Sequence, residues 1–235
     1  MFSNFLIWFV IVPVLMLIGL GLCRNSSMKA IRTVMVVGST ILLAMSLWLC
    51  VEFLAQRAAG AADEMLFTGS WMWYEPLNIH LAVGVDGISV LMLILSSVIV
   101  FAGTFASWKI DPLPKNFFLW FTLLSTGVFG FFISIDMFTM FMFYEVALIP
   151  MYLLICVWGT GRKEYSAMKL TLMLMGGSAF LMLGLFGIYW HSSADPNSLT
   201  WNILEISNNA AIDPGWQNYL FCLTFVGFGV LGAMF

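Results

Sequence analysis

Apolar residues along this chain fall into long unbroken runs divided by connectors that gather its polar and charged residues. A helix that crosses a hydrocarbon core of about 30 Å needs roughly 20 residues at 1.5 Å each. On that measure the pattern predicts seven helical spans, at about 5–22, 34–54, 86–107, 116–134, 137–158, 167–190 and 218–235. Strands are not expected, because a transmembrane barrel shows period-two alternation in segments of about 10 residues and no such segment is visible. The expected fold class is all-α, a polytopic transmembrane helix bundle. Small residues mark its packed faces: Gly177 and Gly184 on one side of the sixth span, Ser125 and Thr126 in the middle of the fourth.

Composition agrees with this reading. Of 235 residues, 62% are hydrophobic and 9% charged, whereas about a quarter are charged in soluble domains. A net charge of −3 gives no reason to expect nucleic acid. Cys23, Cys50, Cys156 and Cys222 lie singly, without CxxC or Cys/His spacing, and read as buried thiols.

The positions of the charges orient the bundle. "MFSNF" carries no basic residue, while Arg24, Lys29 and Arg32 follow the first run, so that run reads as a retained helix and not as a signal peptide. With the N-terminus outside, Arg24, Lys29, Arg32, Lys109, Lys115, Arg162 and Lys163 all fall in inner connectors, as the positive-inside rule requires. Outer connectors hold Arg57 with Asp63, Glu64, Glu75, Asp195, Glu205 and Asp213. The expected location is a bacterial plasma (inner) membrane, multi-pass. The long outer loops, about 55–85 and 191–217, read as interfacial segments with Trp71, Trp73, Tyr74, Trp190 and Trp201 at headgroup level. His80 and His191 read as interfacial histidines. The closing run "FVGFGVLGAMF" (225–235) has no polar flank, so either the chain continues or its last residues rest against another protein.

One carboxylate breaks the apolar pattern. Glu145 lies in the middle of the fifth span, where an ionisable side chain marks an ion or proton pathway by default. A carboxyl group held among apolar side chains resists ionising and can exchange a proton near neutral pH, which a relay requires. The alternative is a hydrogen bond that locks helix packing. Pro150 follows on the same helix; lacking an amide hydrogen, it leaves the carbonyl of Val146 without its helical partner and is expected to kink the helix. An antiparallel hairpin of the fifth and sixth spans brings Glu145 level with Gly177 to Ala179, making Ser178 a candidate neighbour. Lys169, about 15 Å nearer the inner side, either snorkels to the interface or acts as an inner relay station. Asp86 and Asp136 stand at helix ends, where an acid is ordinary.

The block "FYEVALIPMYLLICVWGTGRKEYSAMKLTLMLMGGS" (143–178) resembles the antiporter-like subunits of respiratory complex I, the NADH:quinone oxidoreductase, and "LIPMYLL" is most similar to the subunit M branch, homologues of mitochondrial subunit 4. "VGVDGIS" (83–89) is similar to the opening of the family's third helix. The resemblance implies a fourteen-helix inverted-repeat fold, of which this chain looks like the N-terminal half: helices one to three with an outer interfacial loop over 1–110, and helices four to seven of the first, incomplete repeat over 111–235.

It also implies proton translocation coupled to quinone reduction, with Glu145 as the family's helix-five glutamate and Lys169 as its helix-six lysine. Pro150 and Ser178 are then supporting residues. The chain counts as a translocase subunit without redox chemistry of its own; NADH, FMN, iron–sulfur clusters and quinone are expected in partner subunits, and no metal or cofactor here. Other membrane subunits of the complex and the lipid bilayer are the expected partners. The sequence departs from the family in one respect: no lysine follows Lys169, and the helix-seven lysine's place falls near Leu231. Two alternatives stand beside this reading, a subunit of a related cation/proton antiporter or membrane-bound hydrogenase, and a non-transporting membrane scaffold.

Overall fold

The computed structural model describes residues 5–23, 27–60, 65–193, 199–209, 212–232 and 234. Arg24, Asp63, Glu64 and Asp195, used above to orient the chain, lie outside them. The helices are α1 (Trp8–Leu22), α2 (Met28–Ala58), α3 (Gly87–Ala106), α4 (Pro114–Ile133), α5 (Met137–Trp158), α6 (Lys163–Trp190), α7 (Ile203–Asn209) and α8 (Pro214–Leu231). Five of them, α2 to α6, are long and apolar enough to cross a membrane. The first and last expected spans fall short of that measure. Helix α1 is apolar but 15 residues long, and α8 opens with the polar pair Gln217 and Asn218 in its first turns.

Local chemistry sets the helix ends. Asp86 Oδ1 accepts from the Ser89 amide at 2.7 Å and Asp136 Oδ1 from the Thr139 amide at 3.0 Å, so each acid caps the helix that follows it. Pro114 and Pro214 open α4 and α8, where a missing amide hydrogen costs nothing. At the other end of the bundle, Lys115 Nζ donates to the carbonyls of Gly21 (3.2 Å) and Cys23 (2.6 Å), and Lys163 Nζ to that of Val157 (2.7 Å). Arg32 Nη2 donates to the Trp108 carbonyl at 2.7 Å with its guanidinium over the Trp108 ring, and Trp158 Nε1 to that of Pro112 at 2.6 Å. These contacts gather the helix ends that carry Arg32, Lys115 and Lys163, with the connector that carries Lys109, at one end of the bundle.

Small residues decide which helices touch. A Cβ on Gly184 would stand 2.6 Å from Thr224 Cγ2, and one on Gly177 2.7 Å from Val230 Cγ1, so the expected glycine face of α6 packs against α8. Gly227 returns the contact against Leu181. Ser125 and Thr126 are buried and donate to the Thr122 carbonyl, which satisfies their hydroxyls within α4. Leu20, Met35, Leu42, Leu93, Phe118 and Phe129 fill the core between α1, α2, α3 and α4. The outward faces carry large exposed apolar side chains such as Val51, Leu54, Leu91, Leu172 and Leu183, an arrangement suited to lipid.

The 55–85 segment departs from the all-α expectation. Helix α2 runs on to Ala58, and β1 (Leu66–Tyr74) pairs antiparallel with β2 (Ile79–Val85) around a 3₁₀ turn over Glu75–Leu77. Asn78 closes that turn in the left-handed region, at φ 50°. Excluding a barrel does not exclude a two-stranded hairpin, and the aromatic run "WMWY", then "EPLN", then "IHLAV" is a strand–turn–strand signature.

Trp201 also departs from the reading as an interfacial side chain. It is 1% exposed, stacks on Tyr189 with ring centres 4.2 Å apart, and donates to the Leu77 carbonyl at 3.1 Å. None of the four free cysteines is fully buried: Cys23, Cys50 and Cys156 are half-buried and Cys222 is exposed on α8.

Candidate functional site

Helix α5 is held at its start by the hairpin. The residues between α4 and α5 lie against β2 and the strand-like segment near Trp201: the Ile135 amide donates to the Ala82 carbonyl at 2.9 Å and the Met137 amide to the Trp201 carbonyl at 3.0 Å. Asp136, 1% exposed, accepts from the His80 amide at 3.4 Å as well as from Thr139, while Thr139 Oγ1 donates to the His80 carbonyl at 3.1 Å. Burial pushes the Asp136 carboxyl above its ordinary value, and the hydrogen bonds from Thr139 and His80 oppose the rise. The acid at this helix end therefore ties hairpin to helix, more than an ordinary cap does. His80 and His191 are each half-buried and spent on local bonds, Nε2 of His80 with Asn78 Oδ1 at 2.9 Å and Nδ1 of His191 with the Gly187 carbonyl at 2.8 Å.

Glu145 sits in the middle of this helix, roughly 13 Å along the axis from Asp136 and roughly 20 Å from Trp158 at 1.5 Å per residue. Its Oε1 is buried and has no hydrogen-bond partner among the described residues, and the same is true of the neighbouring Tyr144 hydroxyl. Glycines bring α4 hard against this stretch. A Cβ on Gly127 would stand 2.8 Å from the Phe143 carbonyl oxygen and 2.9 Å from Ala147 Cβ, and one on Gly130 would overlap the Phe143 ring. A cleft of about 250 Å³ opens beside them between α4, α5 and α6, with Tyr144 and Leu148 on its α5 wall and Leu174 on its α6 wall.

The expected neighbours are placed as follows. Met137 packs with Leu185, and Leu148 shares the cleft with Leu174. These pairs bracket Glu145 and bring it level with Gly177 and Ser178, in the register expected of an antiparallel hairpin. Ser178 is 7% exposed, but its hydroxyl donates to the Met175 carbonyl of its own helix at 3.1 Å, not to Glu145. Pro150 is buried and α5 runs through it as continuous helix. Lys169 is exposed, two to three turns from Ser178 towards the basic end. The side chain of Leu231 lies outside the described residues.

The structure thus assembles Glu145, Tyr144, Pro150 and the Gly127/Gly130 contact, and leaves Ser178 and Lys169 out of direct contact with the acid. Tyr144 and the two glycines had no place in the sequence reading. The signal for Tyr144 was a hydroxyl in an otherwise unbroken aromatic and aliphatic run, "MFMFYEVALI".

Comparisons with known proteins bear on the same region. Residues 134–235 match the family model described as NADH:quinone oxidoreductase/Mrp antiporter, transmembrane. A chain 4 of NAD(P)H-quinone oxidoreductase from a Picosynechococcus strain is 31% identical over 176 residues, 74% of this chain and 31% of that protein. The chloroplast chain 4 of Physcomitrium patens is 33% identical over 138 residues, 59% of this chain and 27% of the relative. The chain therefore matches about a third of the length of these curated relatives.

Among solved structures, a chain of an archaeal membrane-bound sulfane sulfur reductase superposes with a TM-score of 0.75 at 20% identity, covering 97% of this chain and 44% of that one. A chain of respiratory complex I from Thermus thermophilus gives 0.72 at 19%, covering 96% and 43%. These likenesses establish a common fold. Residues 134–235 carry the transmembrane domain of the NADH:quinone oxidoreductase/Mrp antiporter family, and the chain is homologous to chain 4 of the NAD(P)H-quinone oxidoreductases.

Proposed function

We propose that this chain acts in proton translocation as part of a membrane subunit of an NADH:quinone oxidoreductase. The observation that carries the reading is Glu145 Oε1, buried and without a hydrogen-bond partner among the described residues, at mid-helix inside the matched domain. A partnered acid would be a packing device, whereas one held with an open hydrogen-bonding site is ready to take and return a proton. Pro150 supports the site by leaving the Val146 carbonyl next to the acid as a free acceptor. Lys169 supplies a positive charge towards the basic end, where it serves as an inner relay station. Ser178 stands level with the acid, and its hydroxyl is given to the Met175 carbonyl of its own helix.

The wider reading follows the resemblance. Seven spans cross a bacterial plasma membrane, with the N-terminus and the hairpin outside and the basic connectors inside. Residues 1–110 form the first three helices and 111–235 the start of an antiporter-like repeat. Most of α5 is half-buried or exposed along its length, which leaves a surface for other membrane subunits, and the remaining outward faces meet lipid. Nicotinamide, flavin, iron–sulfur and quinone chemistry belongs to partner subunits.

The test is Glu145→Gln in the complete complex reconstituted into vesicles. NADH-driven acidification is expected to be lost while the complex assembles in normal amount, and Glu145→Asp is expected to keep part of it. Full acidification in the glutamine variant would overturn the assignment. A second reading has support in the fold likeness to the sulfane sulfur reductase and, with a TM-score of 0.69, to a chain of the Mrp complex of a Dietzia strain. In that reading the same site serves a related antiporter or respiratory complex, and the subunits that co-purify with the chain decide between them. A scaffold role without transport corresponds to a Glu145→Gln variant that pumps normally.

A further inference from the structure

Helix α6 turns one line of side chains away from both of its neighbours. Ala167, Leu174, Leu181 and Leu185 are buried on the side that meets α5 and α8. On the opposite side Tyr165 is 65% exposed and Leu172 64%, and Lys169 is exposed between them. Arg162, just ahead of the helix, is exposed as well, and its spacing of three to Tyr165 and seven to Lys169 stacks the three on one face. None of these three side chains has a hydrogen bond or ion pair among the described residues. Glu164 is turned towards α5, within electrostatic reach of Tyr152, so it does not share their line. Two turns beyond Lys169 the line reaches Gly176, where nothing stands within 4 Å of an added Cβ, and an open notch follows Leu172.

Lys169 stands about 9 Å along α6 from its start at Lys163. A charge that faces hydrocarbon there is costly unless it reaches a polar group. Helical side chains lean towards the N-terminus of their own helix, so the Lys169 ammonium leans back towards Tyr165 and Arg162. Two cations and a phenol thus converge at headgroup depth, and beyond them the line is apolar. A phospholipid has the matching form: its phosphate oxygens accept from all three donors, and an acyl chain runs past Leu172 into the notch at Gly176. The charge of the headgroup follows from the same side chains. An ammonium-bearing headgroup would bring its cation against Arg162 and Lys169 with no carboxylate of this line to receive it, whereas an anionic headgroup meets only attraction. We infer that the outward face of α6 binds an anionic phospholipid, its phosphate held by Arg162, Tyr165 and Lys169 and one acyl chain seated at Gly176. A lysine held at the headgroups also meets the inner solution, as its place in the relay requires. The site does not depend on the role proposed for Glu145, so either can fail alone.

The experiment places photoreactive benzoylphenylalanine at Met173, which is exposed between Lys169 and Gly176. The assembled complex is reconstituted in equal parts of phosphatidylglycerol and phosphatidylcholine and illuminated, and mass spectrometry of the α6 peptide reads which lipid is attached. Phosphatidylglycerol adducts are expected to exceed phosphatidylcholine adducts roughly five-fold or more, and Arg162→Gln and Lys169→Gln each to lower that ratio roughly five-fold. Tyr165→Phe is expected to lower it less, and Gly176→Leu to reduce adducts of both lipids by filling the notch. The same photoreactive residue at Ile99, exposed on α3, is expected to give a ratio near one. A ratio near one at Met173, or one matched at Ile99, would overturn the inference, as would a ratio that both glutamine variants leave unchanged. Crosslinks to a protein chain in place of lipid would overturn it too, because they would show a partner helix on this face.

Discussion

Asp136 is the residue where the structure most changes what the sequence suggested. It caps α5 and takes the His80 amide of the hairpin while 1% exposed. Removing the cap in Asp136→Ala is expected to lower stability by about 1–2 kcal/mol, whereas Asp136→Asn keeps an acceptor for Thr139 and costs less. Burial raises the carboxyl from its ordinary value of 3.8, so the folded chain holds this proton more tightly than the unfolded one. The contribution is therefore fully present below pH 3.8 and is lost as pH rises through the folded-state value. Thermal midpoints in detergent across that window should decline with rising pH in the native chain and less steeply in Asp136→Asn. A native midpoint that climbs instead would mean the hydrogen bonds from Thr139 and His80 outweigh burial.

At the scale of elements, glycine contacts rank the helix pairs. Gly127→Ala drives a methyl group into the backbone of α5 beside Glu145, which cannot yield as a side-chain tip can. It should cost about 1–3 kcal/mol and depress pumping by shifting the acid. Gly227→Ala meets the backbone of Leu181 and should be worse than Gly177→Ala, which meets the rotatable Val230 side chain. Gly176 has nothing within 4 Å, so Gly176→Ala is expected to be neutral or to stabilise by up to about 1 kcal/mol through helix propensity. Melting curves of the four variants check the order, and equal losses at Gly176 and Gly127 would contradict the packing described.

The helices of the middle of the chain were legible, whereas α2 runs past both ends of the expected 34–54 and α7 lies in an expected loop. The run expected at 137–158 is α5 residue for residue, and 86–107 and 116–134 differ from α3 and α4 by at most two residues at an end, because long apolar runs and capping acids are local signals. Partnerships across the chain were not. Nothing near Leu66 announces its pairing with Val85, and nothing near Trp201 announces Leu77 as its acceptor. Glu145 stood out because a charge in hydrocarbon is visible in one dimension. That Ser178 would turn to its own helix, and Tyr144 into a cleft, depends on side-chain directions that spacing alone does not determine.

For the molecule as a whole, the hairpin and the basic connectors mark opposite ends of one bundle. In a chain with its four cysteines replaced, Ser70→Cys is expected to react with an impermeant thiol reagent applied outside intact cells, and Lys109→Cys only after the membrane is opened. The reverse pattern would invert the topology proposed. Everything functional then turns on whether Glu145 changes protonation while the assembled complex works. Infrared difference spectra between resting and NADH-reduced complex address this directly. The account predicts a carboxyl band that appears or shifts on reduction and is missing from Glu145→Gln, and spectra identical in the two proteins would contradict it.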